Sequence, residues 1–348
     1  MSDTNLSAVL YKKDDLRLED RPIPQPAAGE VQVCMHSVGI CGSDVRYWVA
    51  GGSGRFVVRE PLLMGHECSG IVSQVGDGVT SLKVGDRVAI EPGVPCRRCD
   101  FCKTGRYNLC QDVFFLATPP DNGALARYHT HAADFCYKLP DNLSMVEGAL
   151  LEPLSVGIHA CRRGEVTLGH RVLVCGAGPI GLCVMLAAKA LGVAATCVTD
   201  IDSKRLEFAK KIGATSTLLV DSKDPAEVSQ RAIAGLGGRP DVTVDCSGAE
   251  ISIQLGVAAT KPGGILVLVG HCHSASVPAS DFISRELEMR ATFRYVNTWK
   301  TAVDMVSSGK VDVKPLVTHH FPLEKTLDAF EAAKTGAGIK VIIDCFRS

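Results

Sequence analysis

The chain has 348 residues, longer than a single hydrophobic core usually grows, so two domains are expected. Apolar residues make up 46% and charged residues 22%, an ordinary globular balance, and a net charge of -1 supplies no field to attract nucleic acid or an anionic membrane. Met1-Ser2-Asp3-Thr4-Asn5 lacks the start of an export signal, and the most apolar window, Ile180 to Val198, is interrupted by Lys189. A cytoplasmic protein without a membrane span is expected, in which fifteen cysteines, an odd number, serve as thiols and metal ligands rather than disulfides.

Short alternating runs occupy the first part of the chain: Ala8–Tyr11, Glu30–Met35, Gly70–Val75 and Asp86–Ile90. Turn residues such as Gly76-Asp77-Gly78 separate them, the pattern of a curved, mostly antiparallel β unit. Within it, Gly39-Ile40-Cys41-Gly42-Ser43-Asp44 presents a thiol on a glycine-flanked turn, and Gly65-His66-Glu67 puts an imidazole beside a carboxylate. A thiolate, an imidazole and a carboxylate can make three ligands of an open zinc site, whose metal lowers the pKa of a bound oxygen. A His-Glu pair alone is weak evidence, since a packed imidazole beside a solvated acid is the commoner arrangement.

Cys96, Cys99, Cys102 and Cys110 follow, in a polar segment with Arg97, Arg98, Asp100 and Lys103. Four thiols at this spacing can close a structural zinc site in a lobe, about residues 94–112, that has almost no apolar core of its own.

After Leu151-Glu152-Pro153 the chain begins to alternate strands and helices, the mark of a parallel α/β sheet. The strand Arg171–Cys175 runs into Gly176-Ala177-Gly178-Pro179-Ile180-Gly181 and a helix reaching Leu191, with Asp200 closing the next strand. Strand before, helix after and an acid about 20 residues on make this a dinucleotide-binding fingerprint. Its glycines allow a tight turn, close approach of a pyrophosphate and helix–strand packing, with the anion at the helix N-terminus. Asp200 can bind both adenosine ribose hydroxyls and would repel a 2′-phosphate, which favours NAD; Lys204 and Arg205 keep NADP open. Further strands are expected at 195–199, 217–220, 242–246 and 265–269, with helices near 204–212, 225–235 and 250–260. Helical patterns at Trp299–Ser308 and Leu323–Ala333 and a strand Ile339–Cys345 form a tail expected to return to the first domain.

With these motifs the chain resembles the zinc-dependent medium-chain dehydrogenases, most closely their sorbitol (polyol) dehydrogenase branch, over essentially its whole length. The resemblance implies a GroES-like catalytic domain (1–155), a Rossmann domain (156–289) and a return segment (290–348), with two zinc ions per chain and a homotetramer. It carries catalytic zinc ligation onto Cys41, His66 and Glu67, with Glu152 binding directly or through water where alcohol dehydrogenases have cysteine. A carboxylate there gives a harder site, suited to a diol. Asp44 would orient His66, and Ser43 and Glu152 would move the proton. Tyr47, Phe115, Thr118, Arg294 and Tyr295 match the polyol pocket. Gly176, Gly178, Pro179, Ile180, Gly181, Asp200, Arg205, Val269, Gly270, His271, Phe293 and Arg294 match cofactor contacts. The implied activity is interconversion of a polyol such as sorbitol or xylitol and its ketose, by hydride transfer to or from NAD(H). A secondary-alcohol, butanediol or threonine dehydrogenase is the nearest alternative, and a recruited non-catalytic protein a more distant one. The four cysteines are not universal in that branch. His271-Cys272-His273 reads as a variable cofactor loop, and His129, His131, His319 and His320 as structural or surface residues.

Overall fold

The computed structural model describes residues 4–345; Met1–Asp3, on which the expectation about an export signal partly rests, lie outside the described residues. The chain divides into two units, Met1–Glu152 with Trp299–Ser308 and Val313–Ser348, and Pro153–Thr298 with Gly309–Asp312.

In the first unit, strand Glu30–Gly39 is the organising element. It pairs antiparallel with Glu67–Val75, Tyr128–Ala132 and Lys340–Asp344, and the sheet continues outward through Arg87–Ile90 to Cys136–Lys138 and through Lys340–Asp344 to Val317–Pro322. Val31, Val33 and Met35 alternate along this strand and are buried, and the register shift between Met35 and Ser37 brings Val38 into the same core. Its core is completed by Trp48 from the helix Gly42–Ala50 and Phe330 from the helix Thr326–Thr335, whose rings meet edge to face at 5.8 Å. The late strand Lys340–Asp344 thus enters the middle of a sheet begun 300 residues earlier. Asn5 anchors the N-terminal strand Asn5–Lys12: its side chain donates to the Tyr128 carbonyl at 3.0 Å and accepts from the Tyr128 N–H at 2.8 Å.

The second unit is a six-stranded sheet, all parallel. Numbered by chain order within the unit, its strands lie 3-2-1-4-5-6, with Arg171–Cys175 and Val242–Asp245 side by side at the centre. This is the doubly wound order of dinucleotide-binding domains. Asp202 and Asp224 cap the helices Ser203–Lys211 and Pro225–Leu236 through their first-turn N–H groups.

Two features differ from the sequence expectation. The return to the first unit comes at Trp299 rather than at 290, because the strand Glu288–Ala291, which straddles the expected boundary, is the edge strand of the parallel sheet. The segment 145–163 is one helix, with Pro153 inside it at the point where the units divide. Among the described residues no helix is long and apolar enough to cross a membrane.

Candidate active site

Strand register brings Cys41, His66 and Glu67 together. Gly39 lies opposite Glu67 on one side and Ile342 on the other, so residues at the ends of three strands converge. Cys41 follows directly as the N-cap of helix Gly42–Ala50, and His66 directly precedes the strand that Glu67 opens. One ligand atom from each, thiol, imidazole and carboxylate, lies within 4.8 Å of the others. Gly39 is required at its position, since a Cβ there would sit 2.1 Å from Glu67 Oε2.

Asp44 braces two of the three. Its Oδ2 accepts the Cys41 backbone N–H at 3.0 Å, and its Oδ1 stands 3.4 Å from His66 Nδ1, which leaves Nε2 as the ring nitrogen for a metal. Burial alone would lower the His66 pKa, but Asp44 and Cys41 outweigh it and raise the imidazole well above its ordinary value. A cation entering this site must displace a proton.

Lys340 is a site residue that sequence reading missed. Its Nζ donates to Glu67 Oε1 and Oε2, both at 2.7 Å, and to the Ile40 carbonyl at 3.1 Å. Burial works against the ammonium, but Glu67, first among the nearby anions, more than compensates and raises the Lys340 pKa. The available signal was a lone cation beside the apolar run Val341-Ile342-Ile343.

Glu152, expected among the metal ligands, is outside the three-residue cluster. It is buried in the helix Met145–Arg163, close enough for its charge to act on Lys340, Cys68 and Glu91. Ser43 is half-buried in the first turn of helix Gly42–Ala50, which also buries Tyr47. Phe115 is buried, its ring centroid 6.1 Å from that of His66. A turn ties Phe115 to Thr118: the Thr118 N–H donates to the Phe115 carbonyl at 3.1 Å, and Asp121 Oδ2 accepts the Phe115 N–H at 2.9 Å. Arg294 and Tyr295 belong to the other unit. Tyr295 is buried there, and Arg294 holds a left-handed φ of 54° with its guanidinium 4.8 Å from the Phe293 ring centroid. Such a conformation in a non-glycine residue is a strained one.

Cys96, Cys99, Cys102 and Cys110 form the second ligand cluster. Sulfurs about 2.3 Å from a tetrahedral zinc stand about 3.8 Å apart. Cys99 to Cys102 is 3.4 Å and Cys96 to Cys102 is 3.9 Å, so the thiols are spaced for a metal and too far apart for a disulfide. The N–H groups of Arg98 and Cys99 pull Cys96 down to about 6, which favours the thiolate a metal needs.

In the nucleotide loop, Gly178 caps the helix Pro179–Ala190, with Pro179 and Ile180 in its first turn. Gly181 is obligatory, because a Cβ would lie 1.8 Å from the Gly176 carbonyl oxygen, whereas a Cβ on Gly178 would meet only open space, where a phosphate can approach. Asp200 Oδ2 accepts the Ala177 N–H at 2.7 Å and Oδ1 the Asp202 N–H at 3.0 Å. Each oxygen keeps a second lone pair for a ribose hydroxyl. Arg205 turns toward Asp202, with Nε 4.0 Å from Oδ2. Val269 and Gly270 follow strand Ile265–Leu268, both donating their N–H to the Asp245 carbonyl, and His271 is exposed beyond them. The His271 and His273 rings are 5.0 Å apart, but with Cys272 they form no candidate metal group among the described residues. His129 and His131 are neutral, lowered by burial to about 3 and about 4.

Residues 27–141 match the alcohol dehydrogenase GroES-like domain, and residues 179–308 match the zinc-binding dehydrogenase domain. Over 342 residues the chain is 56% identical to sorbitol dehydrogenase of Homo sapiens, covering 98% of this chain and 96% of that protein. The chain belongs to the zinc-dependent medium-chain dehydrogenases. Sorbitol dehydrogenase of Mus musculus is 53% identical with the same coverage. The solved structure of L-idonate 5-dehydrogenase from Escherichia coli is similar with a TM-score of 0.90 at 28% identity, covering 98% of both chains. That of 2R,3R-butanediol dehydrogenase from Bacillus subtilis gives 0.89 at 28% identity, covering 98% of this chain and 100% of that one. This dehydrogenase is therefore an oxidoreductase using zinc and a nicotinamide cofactor. Its donor sets fit both metals: a thiol, an imidazole and a carboxylate for the catalytic ion, and four thiols for the structural one.

Proposed function

We propose that this enzyme oxidises a polyol such as sorbitol or xylitol to its ketose, with hydride passing to NAD, and catalyses the reverse reaction with NADH. The observation that carries this reading is the donor set at Cys41, His66 and Glu67 with a second buried carboxylate, Glu152, beside it. That is an oxygen-rich surround, suited to a substrate offering two neighbouring hydroxyls. The full-length likeness to sorbitol dehydrogenases supports the same substrate class.

Cys41, His66 and Glu67 would hold the catalytic zinc, and Glu152 would reach it through water. The bound metal supplies the Lewis acidity that makes a substrate hydroxyl easier to deprotonate. Asp44 keeps the His66 ring turned, and Phe115 forms an apolar wall that keeps water away. Glu152, with Ser43, accepts the hydroxyl proton. Tyr47 and Thr118 select the polyol chain by hydrogen bonding. Asp200 favours NAD, because a 2′-phosphate would meet its charge while Arg205 is turned toward Asp202. A homotetramer in the cytoplasm completes the reading.

Initial rates across a panel of alcohols test the substrate. Sorbitol and xylitol are expected to exceed 2,3-butanediol, threonine and 2-propanol in kcat/KM; equal or better rates with the simple alcohols would replace the polyol assignment. Glu152→Leu should lose most turnover, and unchanged kcat in that variant would remove Glu152 from the proton path.

A further inference from the structure

Asp245 closes strand Val242–Asp245, beside Cys175 of the strand that leads into the Gly176 loop. The strand order reverses between these two, and in a doubly wound sheet a dinucleotide lies across that crevice. The Asp245 side chain is fully buried, and its oxygens serve the turn that follows. Oδ1 accepts the Ser247 N–H at 3.1 Å and the Ser247 hydroxyl at 2.8 Å, and Oδ2 accepts the Gly248 N–H at 3.1 Å. Its main-chain carbonyl accepts the N–H groups of Val269 and Gly270 at 2.8 and 2.9 Å, so two loops hang on one residue. The loops also pack on each other and on the Gly176 loop. A Cβ on Gly248, which has a φ of 71°, would strike the His271 carbonyl, one on Gly270 would strike the Gly248 nitrogen, and one on Gly176 would lie 3.2 Å from the Ser247 nitrogen. Burial raises the Asp245 pKa in spite of its hydrogen bonds, so a carboxylate here carries a cost that an apolar residue would not.

We propose that Asp245 is a positioning residue for the nicotinamide cofactor. It locks the turns 246–249 and 269–271 against the Gly176 loop, so that the crevice holds its binding shape before the cofactor enters. This rests on the cofactor lying along 176–181, Asp200 and 269–271. The test reads cofactor binding directly, so an error in the polyol assignment leaves it intact.

The Kd of NADH is measured from the change in its fluorescence on the zinc-loaded enzyme, in wild type, D245N, S247A, D245N/S247A and D200A. In D245N one oxygen gives way to an NH2 group that cannot accept an N–H of the turn, and Kd is expected to rise about tenfold. The double variant is expected to stay within about twofold of D245N, since the Ser247 hydroxyl acts through Asp245. A D245N Kd within about twofold of wild type would overturn the proposal, as would losses that multiply in the double variant. In polyol oxidation the KM for NAD is expected to rise with Kd while kcat falls less than about threefold; a kcat loss as large as the KM change would mark general damage and contradict positioning. Should D245N not fold, S247A decides: about threefold weaker NADH binding supports the proposal, and an unchanged Kd contradicts it. D200A separates the two failures. If it leaves NADH binding unchanged, the cofactor reading falls and the proposal with it, whereas weakened binding there with D245N unmoved strikes Asp245 alone.

Discussion

Glu91 is fully buried, with the Tyr107 hydroxyl donating to one oxygen at 2.7 Å and the Tyr137 hydroxyl to the other at 2.9 Å. Burial outweighs those bonds and raises its pKa from 4.5 to about 7. The folded protein therefore holds this proton more tightly than the unfolded chain. The stability it contributes is complete below pH 4.5 and is lost as pH rises through about 7. Glu91→Gln should gain stability over wild type between pH 5.5 and 8, by up to roughly 3 kcal/mol. Thermal unfolding of the zinc-loaded proteins checks this, and a difference that does not change with pH would contradict it. At Gly39 the argument is steric: Gly39→Ala should push Glu67 off its place, cost about 1–3 kcal/mol and lower catalytic-site zinc occupancy. Metal analysis showing full occupancy would contradict it. Cys41, His66 and Glu67 were legible because their residue types and glycine flanks announce a ligand set. Lys340 was not, because its partner lies 273 residues away and only the sheet register joins them.

At the scale of elements, the cysteine lobe stands apart from the core. Among the described residues the main core cluster of the first unit includes Ile90 and Leu116 and nothing between them. The lobe should therefore lose its order when its metal is removed, while the sheet beneath persists. Selective chelation should expose the segment around residues 96–112 to protease within an otherwise resistant chain; cleavage spread through both units, or none, would contradict this. From Arg171 to Leu268 the strands and helices of the parallel sheet were readable almost to the residue, because each couples an apolar run to a turn or cap, whereas the helix Ala279–Arg285 and the edge strand Glu288–Ala291 were not read. The helix Met145–Arg163 was not read, although Ser144 and Glu147 form a capping box with the Glu147 N–H donating to Ser144 Oγ at 3.2 Å and Glu147 Oε2 accepting the Ser144 N–H at 2.8 Å. Gly157 and Pro153 in its interior argue locally against a helix. Packing overrides them: a Cβ on Gly157 would lie 2.7 Å from the Cys183 backbone carbon, so glycine there serves close approach to the neighbouring helix.

For the whole molecule, composition and motif order were enough to expect two units and a returning tail, but not where the tail begins. The edge strand Glu288–Ala291 carries Arg290, which pairs with Glu165 at 2.6 Å and with Glu288 at 2.7 Å, so its polarity hides a strand that straddles the expected boundary at 290. The function follows from joining an open zinc site to a nicotinamide-binding sheet in one chain. Zinc content and sorbitol-dependent NAD reduction, measured on the same preparations of wild type and C41S, test that most directly. The account predicts two zinc ions per chain and activity in wild type, and in C41S one retained zinc, in the cysteine lobe, with activity lost. C41S that keeps both metals, or that still reduces NAD with sorbitol, would contradict it.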